Sequence, residues 1–284
     1  MSARVDASPP PPTVSADRGP DPLRPVTVPD FLAARSRGHR LSVLTAYDYT
    51  FARLLDAAGV DCLLVGDSLG MVVQGQPDSL TVTLEEMIYH TRLVARGARR
   101  ALIVADMPFM SYQVSPEQAL TNAGRLIKEG GAHAVKLEGG VRTAAAIAAI
   151  TAVDIPVMGH VGLTPQSVRR LGGFKVQRDV DRLIEDAAAI EAAGAFALVI
   201  ECVPADLAAR ITERVRIPTI GIGAGPHCDG QVLVTPDLLG LFDDLRPRFV
   251  KRYAELGEAI REATRSYCRE VRDGTFPAAE HGFR

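Results

Sequence analysis

From residue 41 onward the chain repeats one pattern: a short apolar run, a polar loop, an amphipathic segment, and a glycine before the next apolar run. This order restricts the fold more than any other feature. A strand followed by a helix and another strand builds a parallel sheet, because parallel neighbours need a long crossover between them. The runs cover residues 41–46, 62–65, 102–105, 134–137, 156–158, 197–200, 218–220 and 232–234, which makes eight candidate strands. Several are apolar without alternation, as strands covered on both faces are.

The segments between the runs carry helix signals. Phe51, Leu54, Leu55 and Ala58 recur at i, i+3, i+4 and i+7, the spacing of a helix face turned to a core. Thr83 with Glu86 and Ser115 with Gln118 have capping-box spacing, the second with Pro116 at the first helical position. Gly59, Gly97, Gly130 and Gly194 stand where helix C-caps are expected. The charged stretch 250–272 reads as a terminal helix. Eight strand–helix units ending near residue 250 predict a (β/α)8 TIM barrel, whose usual length is about 250 residues. The competing doubly wound sheet usually carries a Gly-rich turn after its first strand, and here Thr45-Ala46-Tyr47-Asp48 follows instead.

The barrel is expected over residues 26–276, with a short C-terminal tail at 277–284. Residues 1–25 hold seven prolines and three aspartates and no apolar stretch, so they read as a disordered tail rather than a targeting peptide. The four cysteines, at 62, 202, 228 and 268, form no Cys-x-x-Cys pair and are expected to be reduced, in a cytoplasmic protein. Lys and Arg number 32 against 34 Asp and Glu, and Trp is absent. Neither the basic excess nor the stacking platforms of nucleic-acid binders are present. The longest apolar run, 144–153, is about half of the ~20 residues that span a membrane.

In a barrel, catalytic groups gather at the C-terminal ends of the strands. Strand two ends in Gly66-Asp67-Ser68, strand three in Asp106, strand five in His160 and strand six in Glu201, and strand four carries Lys136 and Glu138. A single Asp at such a position is commonly a helix N-cap. Five successive strands with an ionisable residue at the same end are not explained by capping. Asp67, Asp106 and Glu138 on adjacent strands are candidate ligands for Mg²⁺, which takes hard oxygen donors. Lys136 points either to an anionic substrate or to a salt bridge with Glu138, its neighbour at i+2 on the same face. Glu201, after an apolar run, has the setting of a general base whose pKa burial raises. The glycines of residues 221–225 are a weak anion-binding signal. These residue types together describe metal-assisted chemistry on a small 2-oxoacid, with an enolate formed by proton removal beside the carbonyl.

Seven motifs in order resemble the ketopantoate hydroxymethyltransferase family: Leu44-Thr45-Ala46-Tyr47-Asp48, Val65-Gly66-Asp67-Ser68-Leu69-Gly70, Ala105-Asp106-Met107-Pro108-Phe109, Val135-Lys136-Leu137-Glu138-Gly139, the stretch 159–167, Ile200-Glu201-Cys202-Val203-Pro204 and the stretch 221–230. The resemblance runs from about residue 26 to 276. It implies a barrel of the phosphoenolpyruvate/pyruvate superfamily assembled as a homo-oligomer, often a decamer. It also implies transfer of a one-carbon unit from 5,10-methylenetetrahydrofolate to 3-methyl-2-oxobutanoate, giving 2-dehydropantoate for pantothenate synthesis. By match to the family motifs, Asp67, Asp106 and Glu138 serve Mg²⁺, while Asp67, Ser68, Asp106 and Lys136 contact the oxoacid. Glu201 is the proton acceptor, and His160 matches a histidine of the active site.

Two loops depart from the family pattern. After Lys175-Val176-Gln177 the chain passes directly to Arg178-Asp179-Val180, a few residues short of the usual lid. The loop Gln74-Gly75-Gln76-Pro77-Asp78 also has its own sequence. Arg169, Arg170 and Lys175 either meet the folate tail or form a solvated basic loop. Two other functions compete: a metal-dependent C–C lyase or mutase of the same superfamily, and a non-catalytic barrel, which the intact set of acids argues against.

Overall fold

The computed structural model describes residues 24–244 and 246–283. The tail expected over residues 1–25 therefore lies, apart from its last two residues, outside the described residues. Eight parallel strands close into a barrel in chain order. They are β1 (Leu41–Thr45), β2 (Cys62–Val65), β3 (Leu102–Asp106), β4 (Ala134–Glu138), β5 (Val157–Gly162), β6 (Ala197–Glu201), β7 (Thr219–Ile222) and β8 (Gly230–Leu233), with β8 pairing back to β1. Every predicted run holds a strand, with ends shifted by up to four residues. The helices are α1 (Val28–Ala33), α2 (Tyr49–Ala57), α3 (Leu69–Val72), α4 (Leu84–Gly97), α5 (Pro116–Arg125), α6 (Ala144–Thr151), α7 (Val168–Leu171), α8 (Val180–Ala192), α9 (Ala205–Arg214), α10 (Thr235–Leu238) and α11 (Leu256–Arg272). None is long and apolar enough to cross a membrane. The four cysteines are free.

Strand periodicity divides the apolar side chains between two cores. Leu63, Val65, Ile103, Ala105, Val135, Leu137, Leu198 and Ile200 face outward beneath the helices. Cys62, Leu64, Leu102, Val104, Ala134, Met158, Ala197 and Val199 fill the barrel's interior. The lower end is plugged by Phe31 of α1, set edge-on to Phe196 at 5.7 Å. Carried two residues further up each strand, the same alternation turns Asp106, Lys136, Glu138, His160 and Glu201 inward. The fold thus places the polar residues at one end of the interior before any of their own bonds are counted.

Several local expectations are corrected. In α2 it is Ala52 that is fully buried, while Leu54 is 58% exposed. The cause is a close crossing with α4. A side chain on Gly97 would meet the Tyr49 carbonyl at 2.6 Å and Ala52 Cβ at 2.9 Å, so only small residues fit the contact. Gly97 is accordingly the last residue of α4, not its cap. At the next helix end the left-handed cap is Gly131 (φ 78°), not Gly130. Thr83 and Glu86 form the complete capping box. Ser115 accepts from the Gln118 N–H, but the Gln118 side chain accepts from Val114 rather than from the cap.

The lower rim is tied by Asp229. Its carboxylate accepts from Arg35 Nε at 2.9 Å and Nη2 at 2.7 Å, and from the Thr219 N–H at 2.8 Å. Burial pushes this carboxyl's pKa up, and the Arg35 and Thr219 hydrogen bonds pull it further down, to a net value below the usual 3.8. A depressed acid stabilises the fold above its unfolded pKa and loses that contribution as the pH falls through its folded value. Asp229→Asn is therefore expected to cost about 1–3 kcal/mol at pH 7. Thermal melts should show the gap between variant and wild type narrowing below pH 3.8; a gap independent of pH would contradict the assignment.

Candidate active site

Strand register assembles the upper rim. Asp106 pairs with Lys136 across β3 and β4, and Glu138 pairs with His160 across β4 and β5. Gly162 lies opposite Glu201 across β5 and β6, and His160 lies opposite Val199, two residues below Glu201 on the same face. Lys136 Nζ consequently stands 3.0 Å from Asp106 Oδ1 and 3.2 Å from His160 Nδ1. The imidazole bridges two acids, with Nδ1 3.5 Å from Glu138 Oε1 and Nε2 3.2 Å from Glu201 Oε2. Lys136 thus pairs with its neighbour across the sheet, not with Glu138 along its own strand as one sequence reading proposed. The register neighbour is the closer of the two.

Asp67 follows β2. Its N–H donates to Asp106 Oδ2 at 3.1 Å, and its carboxylate accepts from Gln166 Nε2 at 2.8 Å. Ser68 Oγ lies 2.9 Å from the hydroxyl of the buried Tyr47. Asp67, Ser68, Asp106, Lys136, Glu138, His160 and Glu201 all line one cavity of about 400 Å³. Asp106, Lys136, Glu138 and His160 are buried, whereas the Glu201 side chain is 17% exposed. Glu201 therefore faces an imidazole on a partly open rim, not the sealed apolar setting expected from the residues before it.

Burial, reinforced by the charges of Glu138 and Asp106, raises the Asp67 pKa to about 8. Burial also raises that of Asp106. Glu138 is held below the usual range, since its contact with His160 and the charge of Lys136 outweigh burial. Burial and Lys136 push His160 down, but Glu138 and Glu201 bring it up to about 9. Lys136, opposed by burial, is kept protonated by Asp106, Glu138 and Asp67.

Four acids thus surround two cationic side chains, and burial with the two neighbouring carboxylates pushes one of the four, Asp67, up to about 8. Asp106 Oδ1, though close to Lys136, takes no hydrogen bond of good geometry. Both features suit a site that receives a cation. No three His, Cys, Asp or Glu side chains among the described residues form a closed metal cage. The donor set therefore fits a hydrated Mg²⁺, which commonly uses one or two carboxylates and keeps several waters.

The outer wall is apolar, with Phe174 and Val176 from the loop after β5 and Phe242 and Phe249 from the segment after β8. The shortened loop still reaches the mouth. Gly223 (φ 60°) seats Phe249, whose ring would lie 2.7 Å from an added Cβ. Gly223 thus carries an aromatic ring, and Gly225 is pressed against Ala205, whose Cβ leaves no room for an added Cβ. Arg169 is 78% exposed and pairs with Asp78 at 2.9 Å, in keeping with a solvated basic loop. Sequence reasoning missed Tyr112 and Gln166, which hold the acids from behind, and Asp237, a cavity carboxyl pushed up to about 6 by burial. Gln166 lies within the motif stretch 159–167, which was the one available signal for it.

Residues 25–279 match the family described as ketopantoate hydroxymethyltransferase. The 3-methyl-2-oxobutanoate hydroxymethyltransferase of Pelobacter propionicus is 57% identical over 266 residues, covering 93% of this chain and 99% of that one. The enzyme of the same name from Clostridium beijerinckii is 58% identical over 262 residues, covering 91% and 95%. Among solved structures, phosphonopyruvate hydrolase in complex with oxalate and Mg²⁺ has a TM-score of 0.61 at 16% identity, covering 89% of this chain and 93% of that one. A 2,3-dimethylmalate lyase of the PEP mutase/isocitrate lyase superfamily gives 0.58 at 17%, covering 90% and 91%. At such identities the likeness is one of fold.

Breaking the Lys136–Asp106 pair leaves a buried charge unmatched. Lys136→Met is expected to cost about 3–5 kcal/mol, and adding Asp106→Asn should return part of that loss. Denaturant melts of the four-member cycle measure the coupling; strictly additive effects would show that the two charges are independent.

Proposed function

The chain belongs to the ketopantoate hydroxymethyltransferase family, and from that premise we propose how its ring of ionised side chains carries out the transfer. It is a hydroxymethyltransferase acting on 3-methyl-2-oxobutanoate, as its relatives of 57–58% identity are named. The one-carbon donor in this reading is 5,10-methylenetetrahydrofolate, and the product is 2-dehydropantoate. Asp67, Asp106 and Glu138 would hold Mg²⁺, in part through the ion's own waters, since the three do not close on one point as a direct cage. When bound, the ion polarises the keto carbonyl and makes the neighbouring C–H acidic. Asp67, Ser68, Asp106 and Lys136 orient the oxoacid, with Lys136 supplying positive charge to its carboxylate.

Glu201 takes the proton from C3, and the electron pair left there forms the new C–C bond. His160, at 3.2 Å, holds the Glu201 carboxylate at the rim. Both C–N bonds of the donor's methylene break towards nitrogen. One water supplies the hydroxyl oxygen, and its second proton together with the proton from C3 restores the two folate nitrogens. The apolar wall of Phe174, Val176, Phe242 and Phe249 suits the flat face of a pterin. The observation that carries this reading is a half-open carboxylate at the edge of a cavity whose floor is three buried acids and a lysine.

We also assign a homo-oligomer, a decamer by family resemblance, in the cytoplasm. Its support is α11, where Gly257 alone is buried and Ile260, Tyr267 and Val271 are 45–55% exposed on one face. A groove over β8 and β1, lined by Leu41, Leu233, Leu238 and Tyr253, offers a second copy a complementary apolar surface.

Two measurements test these assignments. In D₂O with Mg²⁺, wild-type protein should exchange the C3 proton of 3-methyl-2-oxobutanoate, and Glu201→Gln should slow that exchange by about 10²–10⁴-fold. Equal rates would eliminate Glu201 as the base, and product formed without methylenetetrahydrofolate would favour a lyase. By light scattering, the wild type should exceed the 30.4 kDa chain mass, and the double variant Ile260→Glu, Tyr267→Glu should fall to a smaller species. An unchanged mass would remove α11 from the interface.

A further inference from the structure

We infer that Gln166 is the positioning residue that fixes the carboxylates of Asp67 and Glu138, the first through its side-chain amide and the second through its backbone N–H, so that one residue of the loop after β5 sets the orientation of two acids at the ends of β2 and β4. The inference rests on the proposed reading of those acids as the groups that meet the cation and the oxoacid.

Gln166 lies in a 3₁₀ turn, Pro165–Ser167, directly above the barrel. The chain reaches it through Gly162, whose left-handed backbone (φ 97°) lets Leu163 donate to the Glu201 carbonyl at 2.8 Å. Every hydrogen-bonding position of the amide is then used. Nε2 donates to Asp67 Oδ2 at 2.8 Å and to the Met107 carbonyl at 3.0 Å. Oε1 accepts from the Tyr112 hydroxyl at 2.7 Å and from Gln113 Nε2 at 3.0 Å. A flipped amide would set its oxygen against the Met107 carbonyl and the Asp67 carboxylate, so these two acceptors dictate one orientation. The backbone N–H of Gln166 donates separately to Glu138 Oε2 at 3.0 Å.

The consequence is directional. Asp67 Oδ2 and Glu138 Oε2 are committed to Gln166, which leaves Asp67 Oδ1 free of hydrogen bonds among the described residues. Tyr112 supports the clamp from below. Its hydroxyl donates to Gln166 and accepts from the Glu138 N–H at 3.2 Å. Partners of this kind fix the rotamer of a ligating carboxylate, and their loss typically costs 10–100-fold in metal affinity or activity.

Gln166→Met keeps the side chain's length and removes its amide. Calorimetric titration with Mg²⁺ in the absence of oxoacid should show affinity about 10–100-fold weaker than wild type. The kcat should fall by a similar factor, with only a small change in melting temperature. Tyr112→Phe should give a smaller loss of the same kind and add little in the Gln166→Met background. Wild-type Mg²⁺ affinity and kcat in Gln166→Met would overturn the proposal, as would additive effects of the two substitutions. If wild-type protein itself binds no Mg²⁺, the ligand reading of the acids fails. The positioning role is then decided by kcat alone, a fall with an unchanged melting temperature supporting it and an unchanged kcat refuting it. Should Gln166→Met not fold, unchanged affinity and turnover in Tyr112→Phe refute the proposal.

Discussion

Placing four carboxylates at the mouth of an apolar barrel is unfavourable unless each meets a partner, because an isolated buried charge costs several kcal/mol even after relaxation. The rim meets this demand through register. Each ionised side chain on β3 to β6 faces one of opposite sign on the neighbouring strand, at 3.0–3.5 Å. A shift of one residue in any strand would turn its ionised group towards the helices and an apolar one towards the cavity. The apolar layers beneath, from Phe31 up to Val199, fix that register. The core and the site are thus two halves of one alternating pattern.

Register pairing does not complete the balance. Among the described residues the Asp67 carboxylate meets the Gln166 amide and has no ion-pair partner of its own. It depends on a neutral amide, Gln166, and holds its proton to about 8. The loops above β3 and β5 therefore belong to the electrostatics as much as to the access route. Arg169 adds a further tie from the same β5 loop to Asp78, though an ion pair this exposed contributes little to stability. Much of the organisation of the mouth passes through the short stretch from Gly162 to Gln177.

The barrel was legible in the sequence because its signal is repetition, and small errors at strand ends do not disturb a count of eight. The rim acids were legible because they interrupt apolar runs at the same end. Contacts that depend on shape were not. The side of α2 that packs is set by the space left at Gly97, not by where its leucines fall. The partner of Lys136 is set by register, which apolar runs alone do not give. Tyr112 and Gln166 act through directed hydrogen bonds from residues of ordinary type in loops, and no periodicity marks them. Glu201 was placed correctly on its strand but given the wrong surroundings, because the run before it points alternately into and out of the barrel.

The division among the acids follows from the same geometry. Asp106 and Glu138 are sealed and paired, so neither can take up a proton and release it to solvent without breaking a buried ion pair. Glu201 is on the edge, where its side chain is 17% exposed and its partner is an imidazole. As the base of the proposed reading, Glu201 must accept a proton and then lose it in each cycle, which needs a path outward and a neighbour that tolerates both states. An edge position supplies the first, and histidine supplies the second. The barrels of phosphonopyruvate hydrolase and 2,3-dimethylmalate lyase share this frame at 16–17% identity, so the frame by itself does not select the reaction. In the proposed reading, selection lies in which acid stands at the edge, what the loop after β5 holds in place, and how wide an apolar wall is left for the second substrate.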